Sequence, residues 1–163
     1  DFYYLGLERA YECKDAPFEN VEELRLIRGM TAAAYRRLAP HVTVYGAGQV
    51  NLNTAPVDVL RALGLSEEGV NGVVFYRAGE DNVEGTADDR MIGAMAAIIP
   101  ELGPYLPKED MPQLARLLQE GMVTVASKAF RVQIEAGVTD GNYPLRVEAV
   151  VTREGQIHLW KEE

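Results

Sequence analysis

The chain has 163 residues, 47% of them hydrophobic, with a formal net charge of −9 and a single cysteine, Cys13. This length is sufficient for one domain or two small ones with a buried core. The negative charge argues against general binding to nucleic acids or anionic membranes, and one cysteine excludes a disulfide within the chain. The sequence does not begin with methionine and has no apolar run long enough to span a bilayer, so we expect a processed chain or a fragment of a longer protein.

The first part of the chain predicts a helical hairpin. Asn20 and Glu23 have the spacing of a capping box, which marks the start of a helix. Gly29 is expected to end that helix, and the Thr31 hydroxyl is expected to cap the next one. The alternating residues from His41 to Tyr45 favour a short strand or an extended arm.

A second hairpin is predicted after an extended stretch at residues 50–53. Thr54 is its predicted N-cap, Pro56 falls in the first turn, and Gly64 is expected to end the first helix. Ser66 then caps the second helix. Both hairpins share the order helix, glycine, apolar residue, hydroxyl cap, helix, which is a weak internal repeat of about 35 residues.

The second hairpin ends in a loop from Gly79 to Asp89 that is rich in glycine and acidic residues. Crowded carboxylates repel one another unless a cation or solvent screens them. Glycines at 79 and 85 let the backbone fold back, so that the side-chain oxygens can converge. Oxygen ligands in a flexible loop suit Ca²⁺, although the spacing is not that of an EF-hand. The loop is therefore either a calcium site or a solvated acidic turn.

Two more helices are predicted after this loop. The first runs from Met91 to Ile99 and is followed by a connection that prolines and glycine interrupt. Asp110 and Gln113 have the spacing of another capping box, and the helix that starts there is expected to end at Gly121.

From Met122 the hydrophobic period changes to two, which predicts β-strands. The predicted strands are 130–135, 145–151 and 156–160, with turns at Asp140-Gly141-Asn142 and Glu154-Gly155. Short turns between the strands predict an antiparallel meander. Three strands make a thin sheet, so its apolar face must be covered by the helical part or by a helix outside this sequence.

No arrangement of residues indicates an enzyme. His41 and His158 lie far apart in the sequence, without a metal-binding spacing. Cys13 has no nearby basic partner that would mark a nucleophile. The sequence also lacks the phosphate-binding, dinucleotide-binding and GxSxG motifs.

The alternative function is nucleic-acid binding, because the hairpins resemble helix-hairpin-helix modules that hold DNA backbones. Thr31 and Ser66 replace the second glycine of that pattern, which hinders close approach to a phosphate. Glu67 and Glu68 would also stand where the phosphate should sit. We therefore expect no nucleic-acid partner.

In the order of its motifs, the chain resembles the minor pseudopilin K family of bacterial type II secretion systems. Any one motif is weak, but their combination in this order is specific, and the resemblance covers nearly the whole chain. The segments that carry it are KDAPF at 14–18, VEEL at 21–24, IRGMT at 27–31, LAPHVTVYG at 38–46, VNLNTAP at 50–56, FYR at 75–77, and the strand pair 130–135 and 146–153.

The resemblance implies an α+β fold of the pseudopilin type. In this fold a long N-terminal hydrophobic helix packs against an antiparallel sheet, and a large SAM-like domain of tandem helical hairpins is inserted between them. Residues 1–120 correspond to that helical domain, and residues 121–163 correspond to the C-terminal β-meander. The membrane-spanning helix and an early strand are expected to lie outside this sequence.

The resemblance also implies a non-enzymatic subunit that forms a complex with the minor pseudopilins I and J. The complex is expected at the tip of a periplasmic pseudopilus, where the subunit caps the filament and helps to initiate its assembly for protein export. The full-length protein is expected to be anchored in the bacterial inner membrane. Secreted substrate and the outer-membrane secretin are further candidate partners.

Members of this family can bind calcium in the helical domain, and the acidic loop matches a site of that kind. The resemblance therefore implies a Ca²⁺ site with the ligands Asp81, Asn82, Glu84, Asp88 and Asp89. Calcium is expected to fold the loop and to make the helical domain more rigid.

Overall fold

The computed structural model describes residues 2–137 and 145–162. It confirms the predicted α+β fold, in which helices are followed by an antiparallel sheet. The chain forms two compact units, Asp1–Val44 and Tyr45–Glu163, which we call the N-terminal unit and the C-terminal unit. The predicted domain boundary after Glu120 falls inside the C-terminal unit, where it separates helices from strands, and as a domain boundary it stays a prediction.

The N-terminal unit consists of short helices with local caps. Its elements are α1 (Phe2–Leu5), a 3-10 helix (Val21–Leu26), α2 (Ala32–Leu38) and a 3-10 turn (Ala39–His41). The predicted capping box is confirmed, because the Asn20 side chain accepts from the Glu23 N–H at 3.1 Å and the Glu23 carboxylate accepts from the Asn20 N–H at 3.2 Å. Thr31 caps α2 as predicted, by accepting from the Ala34 N–H.

Of the two alternatives predicted from His41 to Tyr45, a short strand or an extended arm, the strand is wrong. His41 ends a 3-10 turn, and the residues after it form bends rather than a β-ladder in the described part of the chain. Alternating residues become a strand only where a neighbouring strand completes their hydrogen bonds. Here Gly46 and Gly48, with φ of +105° and +72°, turn the backbone away instead.

The helical part of the C-terminal unit starts and ends on a short parallel strand pair, β1 (Val50–Asn51) with β2 (Val123–Thr124). Between these strands lie α3 (Val57–Ala62), α4 (Glu67–Arg77), α5 (Ile98–Leu102) and α6 (Met111–Gln119), with 3-10 turns at 95–97, 103–105 and 108–110. One hydrophobic core joins the elements. Its most deeply buried side chains include Leu52, Leu60, Val70, Val73, Ile98, Leu102, Leu114 and Val123.

The second hairpin is confirmed, with one correction at its start. No side chain caps α3, which begins at Val57, so the predicted N-cap Thr54 is wrong. A proline pushes the residue before it out of the helical region, so the helix cannot begin at Ala55 with Thr54 as its cap. Pro56, with an extended ψ of 155°, occupies the N-cap position rather than the first turn. Ser66 caps α4 as predicted, since its hydroxyl accepts from the Gly69 N–H at 3.0 Å.

The helix predicted from Met91 to Ile99 is also wrong in its extent. A 3-10 turn begins at Met95 and α5 begins only at Ile98. The Asn53 side chain accepts from the Ile92 N–H at 2.9 Å and donates to the Ile92 carbonyl at 3.0 Å. Because both backbone groups of Ile92 are bound in this way, they are not available for helical hydrogen bonds.

The capping box predicted at Asp110 and Gln113 is wrong for a similar reason. The Asp110 carboxylate does not cap α6 but accepts from the Ser66 N–H at 3.0 Å and from the Ser66 hydroxyl at 2.6 Å. The Gln113 side-chain amide donates to the Leu63 carbonyl. Both side chains therefore tie α6 to the turn of the second hairpin.

The predicted antiparallel meander is confirmed by β3 (Ala129–Ala136), β4 (Leu145–Thr152) and β5 (Ile157–Glu162), in the order β3-β4-β5. Gly155, with φ of +82°, makes the predicted turn between β4 and β5. The turn predicted at Asp140-Gly141-Asn142 lies outside the described residues.

Candidate functional site

The acidic loop, residues 79–89, follows directly from α4. It turns back at Gly79, where φ is +65°. A side chain at this position would meet the Asp88 carbonyl oxygen at 2.4 Å and the Asp88 carboxylate at 2.6 Å. Glycine is therefore required both by the backbone conformation and by the close approach of the two ends of the loop.

Asp88 closes the loop through its carboxylate. It accepts from the backbone N–H groups of Glu80 and Asp81 at 2.6 and 3.0 Å and from the Thr86 hydroxyl at 2.7 Å. These hydrogen bonds lower the pKa of Asp88 to about 2, and the bond from Thr86 has the largest effect. They lower the pKa because they favour the ionised carboxylate. Asp88 is therefore ionised whenever the loop is folded at neutral pH.

The other two aspartates of the predicted set make local turns. Asp81 Oδ1 accepts from the Val83 N–H at 2.8 Å, and Asp89 Oδ2 accepts from the Gly85 N–H at 2.7 Å. Each bond uses one oxygen of its carboxylate. Asn82 has φ of +59°, a conformation that asparagine tolerates better than most residues.

Glu84 differs from the other predicted ligands, because it pairs with a guanidinium. Arg77 Nε donates to Glu84 Oε1 at 2.7 Å, and Arg77 Nη2 donates to the same oxygen. Arg77 is the last residue of α4 and is largely buried. The structure thus brings Glu84 to the core side of the loop.

The loop supplies donors of the type that calcium prefers, which are carboxylate and amide oxygens on a solvent-exposed turn. In the described residues, however, no group of three or more His, Cys, Asp or Glu side chains is arranged to hold a metal ion. A calcium site would require oxygens of Asp81, Asp88 and Asp89 to converge on one point. The five-ligand set therefore stays a prediction.

The sequence did not identify Arg77 and Asp110 as contributors to a site. Arg77 carries one sequence signal, a charged residue at the end of an apolar helix face. Asp110 carries none, because its partner Ser66 lies 44 residues away in the chain. Its carboxylate lies at the N-terminus of α4, which is where an anion would otherwise bind.

The three-stranded sheet carries a second candidate surface. Directly paired residues of antiparallel strands share a face, and the pairs Val132–Ala149 and Ala149–Trp160 place those side chains together. Phe130 and Ile134 lie on the same face of β3, and the exposed fractions of Phe130, Val132, Ile134 and Trp160 are 42, 37, 53 and 55%. The opposite face carries ion pairs instead, Arg131–Glu148 and Arg146–Glu135. One side of the sheet is therefore apolar and open.

The comparison of folds finds a close structural relative. The chain superposes on a chain of the crystal structure of the GspK-GspI-GspJ complex from the enterotoxigenic Escherichia coli type 2 secretion system, with a TM-score of 0.72 and 19% sequence identity. The match covers 100% of this chain and 54% of that chain. It establishes that the two share an α+β fold.

The sequence comparisons agree with the fold. A family model described as type II secretion system (T2SS), protein K, matches residues 1–47. Type II secretion system protein K of Aeromonas hydrophila is 31% identical over 128 residues, which is 74% of this chain and 39% of that protein. The protein of the same name from Klebsiella pneumoniae is 40% identical over 60 residues, 36% of this chain and 18% of that protein.

These findings define the class: the chain is similar to proteins of type II secretion systems. More specifically, it is similar to protein K of these systems, which confirms the resemblance found in its motifs. The matched region spans 39% or less of the length of these two curated relatives. Among the described residues, no helix combines the length and the apolar character needed to cross a membrane.

Proposed function

We propose that this chain is the periplasmic part of a non-enzymatic minor pseudopilin that works at the pseudopilus tip with the I and J minor pseudopilins. The observation that carries the proposal is the similarity to protein K, with 74% of the chain aligned to one relative. The solved GspK-GspI-GspJ complex, in which one chain has the same fold, supports the choice of partners.

The open apolar face of the sheet supports the same proposal. A sheet of three strands is marginal without a packing partner, and an exposed apolar patch usually marks an interaction surface. In a pseudopilin the partner is the long N-terminal helix of the same protein, which also anchors it in the inner membrane. We assign the face that carries Phe130, Val132 and Trp160 to that helix.

The proposed tip position has a steric reason. A filament grows when subunits add through a shared surface. A subunit that carries a large helical domain over that surface accepts no further subunit, so it can only be terminal. This is how the chain would cap the filament and begin its assembly during protein export.

The experiment is reconstitution of the complex. The full-length K protein, its upstream helix included, is coexpressed with the I and J proteins of the same system. We expect a ternary complex in size-exclusion chromatography with light scattering. If I and J bind each other under the same conditions but do not retain K, the proposal is wrong.

Two matched substitutions in the full-length protein test the sheet face. Trp160→Asp places a charge on the apolar face, and Gln133→Asp places the same charge on the opposite face. We expect the first to abolish secretion in a complementation assay and the second to leave it near wild type. Equal loss of secretion in both variants would show that the apolar face of the sheet has no specific role.

Calcium is the second part of the proposal, with the acidic loop as its site. Extracellular calcium sites have dissociation constants of about 10⁻⁴ M or weaker, so about 10 mM Ca²⁺ would be near saturation. At about 100 times the dissociation constant, binding adds about 2.7 kcal/mol, which for a chain of this size raises Tm by about 5–10 °C.

This part is tested by thermal melting with EGTA, Ca²⁺ and Mg²⁺. We expect a rise in Tm with Ca²⁺ alone, and we expect it to vanish in the double variant Asp81→Asn/Asp89→Asn. Glu109→Gln, an exposed acid outside the loop, is the control and should keep the rise. An identical Tm in EGTA and Ca²⁺ for the wild type would show that the loop binds no stabilising calcium.

Nucleic-acid binding gains no support from the fold. The N-terminus of α4, where a hairpin of this kind would bind phosphate, already holds the Asp110 carboxylate through the Ser66 N–H and hydroxyl. Glu67 pairs with Arg61 on the hairpin surface at 2.7 Å. A phosphate would meet negative charge at this turn.

A further inference from the structure

Arg77 lies where the hydrophobic core meets the acidic loop. Its side chain is only 11% exposed, and its guanidinium reaches in two directions. Nη1 donates to the Ala55 carbonyl at 2.8 Å and lies 3.5 Å from the Leu52 carbonyl, while Nε donates to Glu84 Oε1 at 2.7 Å. One side chain therefore connects the residues before α3 with the middle of the loop.

The burial of Arg77 constrains Glu84. A guanidinium removed from water needs hydrogen-bond acceptors and a counter-charge, or the fold loses stability. The Ala55 and Leu52 carbonyls supply acceptors, and Glu84 is the carboxylate that pairs with Arg77 in the described residues. If Glu84 turned toward a metal ion, Arg77 would stay buried with carbonyl oxygens alone.

We propose that Arg77 is a positioning residue for the acidic loop and that Glu84 serves as its counter-ion, outside the metal-ligand set. This inference deepens the proposed calcium site and rests on it for the ligand assignment. Arg77 fixes the middle of the loop to the core, and Asp88 closes its ends on the N–H groups of residues 80 and 81. The candidate ligands are thereby reduced to Asp81, Asn82, Asp88 and Asp89.

The contacts of Arg77 extend its effect beyond the loop. The carbonyls that it holds flank Asn53, whose side chain binds the backbone of Ile92 and the Val125 carbonyl. Residues 52–55 thus form a turn that contacts the segment before α5 and the segment after β2. A change that weakens the Arg77 contacts should therefore speed hydrogen exchange at the Ile92 amide as well as in the loop.

The test is amide hydrogen exchange in EGTA, which needs no bound metal. Glu84→Gln removes the counter-charge, and Glu80→Gln is the matched control, because the Glu80 side chain is 88% exposed and its nearest cation, on Arg90, is 4.0 Å away. We expect Glu84→Gln to speed exchange of the amides of residues 80, 81, 83 and 85 about tenfold, and Glu80→Gln to change it less than about twofold. Equal changes in the two variants would overturn the inference.

A second variant separates Arg77 from a general effect of charge. Lysine keeps the positive charge but lacks the planar fork that serves Glu84 and the carbonyls together. We expect Arg77→Lys to speed loop exchange as Glu84→Gln does, and the double variant to add nothing further. A further tenfold increase from Glu84→Gln in the Arg77→Lys background would contradict the pairing.

Added Ca²⁺ distinguishes this inference from the calcium proposal. If Ca²⁺ does not protect the wild-type loop, the calcium proposal fails, and the comparison in EGTA still decides the role of Arg77. If Glu84→Gln leaves exchange in EGTA unchanged but abolishes protection by Ca²⁺, Glu84 is a metal ligand and the inference is wrong.

Discussion

The N-terminal unit and the helical part of the C-terminal unit are built in opposite ways. In the N-terminal unit no described residue is fully buried, and caps and ring contacts such as Arg28 over Tyr3 hold the short helices. In the helical part, one continuous apolar core joins four α-helices. The comparison teaches that local signals are sufficient to form helices, whereas stability depends on burial.

Core truncation should show the largest difference between the two regions. Leu60, which is 0% exposed, lies at the centre of the core, and Leu26, which is 55% exposed, belongs to the N-terminal unit. We expect Leu60→Ala to lower the free energy of unfolding by about 3 kcal/mol, and Leu26→Ala to lower it by less than about 0.5 kcal/mol. Urea denaturation measures both losses of free energy. Similar losses would show that the two regions do not differ in their dependence on burial.

A buried polar contact should show an intermediate effect. Asp110→Ala removes the acceptor of the Ser66 N–H and hydroxyl, which we expect to cost about 2 kcal/mol. Asp110→Asn should cost less, because the amide can still accept one bond and donate another. Glu109→Ala, at an exposed neighbouring position, is the control. If Asp110→Ala unfolds at the same urea concentration as Glu109→Ala, burial of apolar groups alone accounts for the core.

The smallest effect on the stability of the whole chain is expected from changes in the acidic loop. Polar contacts hold this loop, as they hold the N-terminal unit. The pKa of Asp88 is lowered to about 2, so its contribution to loop order is complete above the pKa of the unfolded chain, about 4. It is lost as the pH falls from about 4 through 2. Because Thr86 is the largest cause of this shift, we expect Thr86→Val to raise the pKa of Asp88 toward its ordinary value.

NMR titration of the Asp88 carboxyl carbon measures this pKa directly. Thr43→Val, a similar substitution outside the loop, is the control and should leave the pKa of Asp88 unchanged. The same pKa in Thr86→Val and in the wild type would show that the hydroxyl does not determine the titration.

The sequence predicted the structure correctly where the cause of the structure is local. Asn20 with Glu23, Thr31 and Ser66 were predicted as caps, because the groups that they bind lie three residues away. The meander was predicted because period-two alternation and the turn at Gly155 are also local. These signals determined the α+β class.

It failed where a side chain binds a distant backbone group. Asn53 holds Ile92 across 39 residues, and Asp110 holds Ser66 across 44. No spacing pattern reveals such partners. In the loop, the family resemblance predicts Glu84 as a metal ligand, and that assignment stays a prediction. The sequence does not show that the end of α4 brings Arg77 beside Glu84.

The contact between Asp110 and the start of α4 also limits which sequences this fold accepts. A β-carbon on Gly69 would lie 1.9 Å from Asp110 Oδ2, so the two positions compete for one volume. An alanine at position 69 would require the Asp110 carboxylate to move away from Ser66 or a shorter residue at position 110, and either change would weaken the hydrogen bonds at the helix N-terminus. Because neither change alone would be neutral, the two positions should vary together in evolution.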